Sequence, residues 1–181
     1  MNPFRYVQAK EQSVAVGQVA DDPRAAFLAG GTTLLDLMKL GVQTPATLVD
    51  INHLPLSRIE ELGGGILIGA LVTNTDLAYH EVIRQRYPVL SQALLSGASP
   101  QLRNMATVAG NVMQRTRCTY FRDGVSACNK RRPGAGCAAL EGFNRSHAVL
   151  GTRSPCAMVA WSPRENRRAA SQSRPSWSAA A

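Results

Sequence analysis

The sequence has no apolar run of the length that a membrane span needs, which is about 20 residues. Residues 1–6 show no basic region followed by an apolar core, so no signal peptide is expected. The three histidines, His53, His80 and His147, lie far apart, and neither a Ser-His-Asp set nor a carboxylate pair can be recognised. The sequence therefore predicts no hydrolytic site and no membrane insertion. We expect a cytoplasmic protein, or a periplasmic one that is exported together with a signal-bearing partner.

Cysteine is scarce, and its four occurrences fall in one stretch: Cys118, Cys128, Cys137 and Cys156. Without a recognisable secretion signal, clustered cysteines indicate metal ligands or redox groups before disulfides. Four thiolates suit zinc or an iron–sulfur cluster. The spacing lacks the close C-x2-C pairs of zinc ribbons, which weakens the zinc interpretation. On spacing alone, four unrelated thiols also fit. The neighbouring cations would offset the charge of a cluster: Arg115, Arg117, Lys130, Arg131 and Arg132.

Acidic residues are also few, and the 181 residues carry a net charge of +8. Half of this excess lies in residues 152–181, which hold five Arg and one Glu. The same segment contains no Leu, Ile or Phe, so it cannot form an apolar helix stripe or a buried strand. We interpret it as foreign to the fold. The apolar content of 45% is typical of a globular protein.

Several local patterns point to mixed helix and sheet. Residues 28–40 predict a strand, a glycine turn and a helix, and residues 46–51 predict the next strand, which together indicate a parallel pair with a helical crossover. A glycine turn at residues 63–65 predicts a hairpin. A helix is predicted from residue 74, continued by residues 82–87, and another over residues 88–99. The fold class predicted is α+β.

Two glycine-containing motifs favour a dinucleotide. The first is Ala29-Gly30-Gly31-Thr32-Thr33, where glycines after a strand allow a phosphate to approach the backbone and helix amides attract it. The second, residues 106–111, offers small residues and an amide side chain. Each alone is more typical of a structural turn, and neither matches a Walker loop or the three-glycine Rossmann pattern. A dinucleotide needs more than one such contact along its length, so the pair is more informative than either motif.

Taken together, these segments resemble the FAD-binding medium subunit of molybdenum hydroxylases, the group of xanthine dehydrogenase and the periplasmic type of aldehyde oxidoreductase. The resemblance runs from about residue 1 to residue 151 and is carried by residues 29–40, 68–77, 101–104, 106–111 and 114–118. Residues 128–131 and 136–142 are its most specific part, because the wider family lacks these cysteines. After about residue 152 the sequence departs from the family, and we expect a truncation or a frameshift there.

The resemblance implies a two-subdomain FAD-binding fold of the vanillyl-alcohol-oxidase/PCMH type, with its C-terminal part missing. Residues 1–55 would form a βαβ subdomain for the FAD pyrophosphate. Residues 56–151 would form an incomplete second subdomain, whose cysteine-rich loop, residues 115–145, projects toward a partner subunit. Residues 152–181 would be an aberrant, disordered tail.

The resemblance also implies cofactors, partners and a role. The chain would be an oxidoreductase subunit that takes electrons from a molybdenum-cofactor large subunit through a [2Fe-2S] small subunit to FAD and an external acceptor. A [4Fe-4S] cluster would be held by Cys118, Cys128, Cys137 and Cys156. FAD would be bound by these residues: Phe27, Leu28, Ala29, Gly30, Gly31, Thr32, Thr33, Leu34, Thr107, Gly110 and Asn111.

Two alternatives come from other functional classes. The first is a zinc-bearing basic module that binds nucleic acid, suggested by the cysteines, the net charge and the aromatic side chains Tyr120, Phe121 and Phe143 among basic residues. The second is an assembly subunit that holds partners and no cofactor.

Overall fold

The computed structural model describes residues 1–147, so the expected tail at residues 152–181 and Cys156 lie outside the described residues. The first half alternates strands and helices, in this order: β1 (Arg5–Gln8), α1 (Gln12–Asp21), β2 (Ala25–Leu28), α2 (Leu34–Lys39) and β3 (Thr47–Asp50). The second half holds a hairpin and a group of short helices: β4 (Ile59–Leu62), β5 (Gly65–Ile68), α3 (Asn74–Tyr79), α4 (Glu81–Arg86), α5 (Pro88–Ser96), α6 (Pro100–Met105), α7 (Val108–Val112) and α8 (Thr119–Arg122). This mixed architecture confirms the α+β prediction.

The first three strands form a parallel sheet with β3 in the centre, in the order β1-β3-β2. The predicted parallel pairing of β2 with β3 is confirmed, and β1 adds a third strand that the sequence patterns did not predict. All four residues of β3 are buried, and the strand has a neighbour on each side. Its Val49 packs with Ala9, Ala15, Leu54 and Leu71 in one apolar cluster. The register sets the carboxyl ends of the three strands level, with Gln8, Asp50 and Leu28 side by side.

The predicted hairpin is confirmed as β4 and β5, which pair antiparallel. Gly63 and Gly64 adopt φ of +53° and +88°. A two-residue turn of type I′ requires positive φ at both central positions, and its twist matches that of the strands. This pair of glycines therefore explains why the chain reverses there.

The helices of the second half are short because extended residues interrupt them. The helix predicted from residue 74 is divided into α3 and α4, since His80 is extended (φ −60°, ψ 130°). The hydroxyl oxygens of Thr73, Ser99 and Thr107 accept backbone N–H bonds and cap α3, α6 and α7. The longest helix of residues 1–147 has 10 residues, and none in that part of the chain is long and apolar enough to cross a bilayer.

The cysteine-rich segment, residues 115–145, packs against α2, and its expected contact with a partner subunit stays a prediction. Leu37 on α2 is fully buried in an apolar cluster with Phe121, Cys118, Cys128 and Ala139. Arg122 also forms an ion pair with Asp36 on the same helix. A large aromatic ring buried against a leucine removes more apolar area from water than a projecting loop would. The segment therefore joins the first half of the fold to the second.

Leu37→Ala tests this packing. We expect it to lower the free energy of unfolding by about 2–5 kcal/mol, because it removes buried methyl groups and leaves a cavity under Phe121. Leu40→Ala is the matched control, since Leu40 follows the same helix but is 48% exposed. The control should change the free energy by no more than about 0.5 kcal/mol. Urea unfolding of both variants measures this, and equal effects would contradict the packing described.

Candidate cofactor-binding site

A cavity of about 450 Å³ opens at the carboxyl edge of the parallel sheet. Its volume lies within the range of ligand pockets, about 300–1,000 Å³. Ligands of open parallel sheets bind beyond the carboxyl ends of the strands. The cavity follows this rule, because the loop after β2, Ile51 after β3 and Gln12 after β1 all line it. Six residues between positions 107 and 115 also line it, so both halves of the fold contribute to the wall.

The cavity gathers nine of the eleven residues predicted to contact FAD: Phe27, Ala29, Gly30, Gly31, Thr32, Thr33, Leu34, Thr107 and Gly110. Leu28 and Asn111 are not among its lining residues. The Leu28 side chain lies close to Gly31, and its carbonyl accepts a hydrogen bond from the Ile51 amide at 3.0 Å. The side-chain oxygen of Asn111 accepts a hydrogen bond from Gln114 at 3.1 Å. In this structure, the contacts of both residues are therefore internal to the protein.

The glycine loop, residues 29–33, lies against Met105, the residue just before the second motif. A Cβ on Gly30 would lie 1.6 Å from the carbonyl oxygen of Met105, well inside van der Waals contact. The next residue, Gly31, has φ of +72°, a conformation that other residues adopt at a cost. The two glycines are therefore needed for different reasons, one for close approach and the other for backbone shape.

The second motif is held by backbone hydrogen bonds on both sides of Thr107. The Val108 amide donates to Val72 at 2.8 Å, and the Ala106 carbonyl accepts from Asn74 at the same distance. Thr107 is buried, and its hydroxyl oxygen accepts from the Gly110 amide at 3.3 Å. These bonds fix the position of the wall that faces the glycine loop.

A polar brace formed by Asp50, Asn52 and Tyr6 supports the glycine loop from the end of β3, and no pattern in the sequence predicted it. The side-chain amide of Asn52 donates to the Asp50 carboxylate at 2.7 Å and to the Ala29 carbonyl at 3.2 Å. The Asp50 carboxylate also accepts from the Asn52 backbone amide at 2.9 Å and from the Tyr6 hydroxyl. The brace therefore ties three segments together at the edge where the cavity opens.

The Asp50 carboxyl titrates differently from an exposed one. Burial by itself would raise its pKa, but the hydrogen bonds from Tyr6 and Asn52 outweigh burial and, with His53 nearby, hold the pKa below its ordinary value of 3.8. Its partner responds in the opposite sense, because the hydrogen bond to Asp50, desolvation and the carboxylate charge raise the pKa of the Tyr6 hydroxyl. Folding therefore favours the ionised carboxylate beside the neutral phenol.

Further lining residues escaped prediction because they come from distant segments: Gln12, Val16, Gln43, Leu54, Leu56, Met113, Gln114 and Arg115. Gln114 and Arg115 belong to the segment 114–118 that carries the resemblance, but no cofactor contact was assigned to them. The available signal was topological: residues that follow parallel strands meet at one edge, which could have indicated Gln12 and Ile51. Arg115 was predicted to offset the charge of a cluster, and the structure shows that it also lines the cavity.

Three of the four predicted metal ligands share one environment, and the fourth, Cys156, lies outside the described residues. Cys118 and Cys128 are buried, and Cys137 packs against the same apolar cluster. The backbones of Cys128 and Cys137 form an antiparallel bridge. Among residues 1–147, no three His, Cys, Asp or Glu side chains converge as ligands of a single metal ion. His147, which we did not predict, lies with Nε2 3.2 Å from the Cys118 sulfur.

Comparison with known proteins adds independent information. The family model described as the FAD binding domain in molybdopterin dehydrogenase matches residues 2–140. The chain is 57% identical over 157 residues to the aldehyde oxidoreductase FAD-binding subunit PaoB of Escherichia coli (strain K12). This alignment covers 86% of this chain and 49% of that protein. It is 39% identical over 113 residues to the carbon monoxide dehydrogenase medium chain of Hydrogenophaga pseudoflava, with 60% of this chain and 39% of that protein covered.

A solved structure agrees with this similarity. Carbon monoxide dehydrogenase from Hydrogenophaga pseudoflava, in a form that lacks the Mo-pyranopterin moiety of its cofactor, matches with a TM-score of 0.60 and 36% identity. The match covers 62% of this chain and 40% of that one. The chain spans about half the length, or less, of the relatives it matches.

Gly30→Ala tests the contact between the glycine loop and Met105. We expect a loss of about 1–3 kcal/mol in the free energy of unfolding and weaker FAD binding, because the methyl group must displace the Met105 carbonyl. Gly17→Ala is the control, since Gly17 lies within α1 and an added Cβ there meets nothing within 4 Å. The control should stabilise the protein by about 0.4–1 kcal/mol. Chemical unfolding and FAD titration of both variants measure the difference, and a stabilised Gly30→Ala protein would refute the contact.

Asp50→Asn tests the polar brace and has a defined pH dependence. At pH 7 the variant should lose about 1–3 kcal/mol of stability, because it removes hydrogen bonds to an ionised group. The lowered pKa means that the contribution of Asp50 is fully present above its ordinary value of 3.8 and is lost as the pH falls through the still lower folded value. The difference between wild type and variant should therefore shrink below about pH 4. Unfolding measured from pH 7 to pH 2 checks this, and a constant difference would count against the brace.

Proposed function

The chain belongs to the family of FAD-binding domains of molybdopterin dehydrogenases, and on this basis we propose that it is the flavin-binding part of a molybdenum-containing oxidoreductase. The observation that carries the proposal is the shared cavity, in which nine predicted contact residues from both halves of the fold meet. The matched family, described by its binding of FAD, supports the same cofactor.

The residues present fit FAD. The backbone of Gly30 and Gly31 lies in the wall of the cavity, where the loop before α2 would offer main-chain amides to a phosphate. The hydroxyls of Thr32 and Thr33 on the same loop are suited to donate to phosphate oxygens. Apolar side chains on the wall, such as Leu54 and Leu56, suit the uncharged parts of the cofactor. The protein would therefore bind and orient FAD, exclude water around it and tune its surroundings.

We further propose that the chain serves an electron relay between subunits. When bound, FAD would supply the redox chemistry, receiving electrons from a molybdenum-cofactor large subunit through a [2Fe-2S] small subunit and passing them to an external acceptor. The names of the relatives support this role, since one is the FAD-binding subunit of an aldehyde oxidoreductase and another is the medium chain of a carbon monoxide dehydrogenase. The substrate would be selected on the large subunit, so this chain would contribute no specificity for it.

A [4Fe-4S] cluster on Cys118, Cys128 and Cys137, with Cys156 as the fourth ligand, is also part of the proposal. Its support is the common apolar cluster that the first three cysteines share. A four-iron cluster binds each thiolate through a different iron, which separates the sulfur atoms more than one zinc ion would. The lack of convergence on a single ion within residues 1–147 therefore speaks against zinc more than against a cluster.

The family match does not favour either alternative function, the nucleic-acid-binding module or the cofactor-free assembly subunit.

Quantifying flavin and iron on one anaerobically purified sample of the full chain tests both parts. We expect flavin absorbance with about one FAD per chain, and about four iron atoms per chain for a single cluster. Cys118→Ser should lower the iron content sharply, because it removes one ligand. The control is Thr119→Ala, an exposed neighbour that should retain the iron.

The experiment distinguishes a failure of the flavin assignment from a failure of the cluster assignment. A folded protein that takes up no FAD would contradict the flavin assignment. A protein that binds FAD but contains zinc, or no metal in either variant, would contradict the cluster alone. Circular dichroism of each variant shows whether a loss of iron reflects a missing ligand or a missing fold.

A further inference from the structure

The cavity is almost without charge. Among its lining residues in the described part of the chain, Arg115 is the only one with an ionised side chain. Oxidised FAD carries its permanent negative charge on the pyrophosphate, while its ring system is neutral. Moving two phosphate charges from water into such a cavity is costly unless cations or hydrogen-bond donors compensate them. A single guanidinium at this position therefore has a large effect on which ligands the cavity accepts.

Later residues of the cysteine-rich segment, residues 115–145, hold the Arg115 guanidinium. Its Nη2 donates to the Lys130 carbonyl at 2.9 Å, two residues after Cys128. Its central carbon lies 5.3 Å from the centre of the Phe121 ring, a distance typical of a cation–π contact. Phe121 is itself 1% exposed within the apolar cluster against α2. The Arg115 side chain is thus half-buried. Lys130 and Phe121 hold it in place, and it also lines the cavity.

We propose that Arg115 binds the pyrophosphate of FAD and makes the cavity selective for a phosphate-bearing flavin, and that the cysteine segment positions it. The inference rests on the proposed binding of FAD. A guanidinium carries five N–H donors in a planar fork, the side-chain group whose geometry best matches the oxygens of a phosphate. Because the side chain is already held in place, less conformational entropy is lost when the ligand binds. A lysine would keep the charge but lose the fork and the stacking on Phe121.

The test measures the Kd for FAD at increasing ionic strength with the flavin-free chain of residues 1–181, using quenching of flavin fluorescence. We expect Arg115→Gln to raise the Kd for FAD roughly 10- to 100-fold at low salt, the range for losing charge-assisted hydrogen bonds. Wild-type affinity should fall as salt rises, and the variant should lose most of this dependence. Arg115→Lys should keep the salt dependence with an intermediate Kd.

Arg117→Gln is the matched control, because it removes the same charge two residues away from an exposed side chain. It should leave both the Kd and its salt dependence unchanged. An Arg115→Gln protein with a weaker Kd but the wild-type salt dependence would overturn the proposal and indicate a purely structural residue. An unchanged Kd would overturn it as well. If the wild type itself does not bind FAD, the proposed function fails first, and unfolding curves without flavin show whether any variant has lost its fold.

Discussion

At Gly30 the glycine loop meets the carbonyl of Met105 so closely that no Cβ can stand between them. The contact joins the parallel sheet to the helical half of the fold, and it brings the loop after β2 opposite the segment that contains Thr107. Gly30 and Thr107, one from each of these segments, both line the cavity. The site is therefore defined largely by main-chain geometry, which suits a ligand recognised through phosphate and ring faces.

The glycine loop is also held by side chains at the end of the central strand, β3. Asn52 links the carboxylate of Asp50 to the carbonyl of Ala29, so the end of the central strand determines where the loop begins. This is a common arrangement in parallel sheets, in which side chains that follow the strands support loops carrying the ligand. Because the Asp50 carboxylate is buried and fully partnered by Tyr6 and Asn52, its support is expected over the physiological pH range.

The cysteine segment has two structural roles that follow from its packing on α2. Through Leu37 and the Arg122–Asp36 ion pair, it attaches the end of the described chain to the first half. Through Arg115, it reaches the wall of the cavity. The cysteines and the cavity are thus physically connected by a few side chains. A change in the cysteine segment should be felt at the cofactor site even though no cysteine lines the cavity within residues 1–147.

The sequence alone determined features that depend on neighbouring residues. Gly63 and Gly64 predicted the hairpin because the positive φ that the turn needs depends on the residue type at those positions. Residues 28–51 predicted a parallel pair because strand and helix periodicity is also set by residues that are close in sequence. The kind of cofactor came from resemblance. Only the tertiary structure decided that β3 is central, that the cysteine segment packs on α2, and that Gln12 and Arg115 share a cavity with Gly30. Such contacts join residues as far apart as Asp36 and Arg122, 86 positions, and they leave no periodic pattern in the sequence.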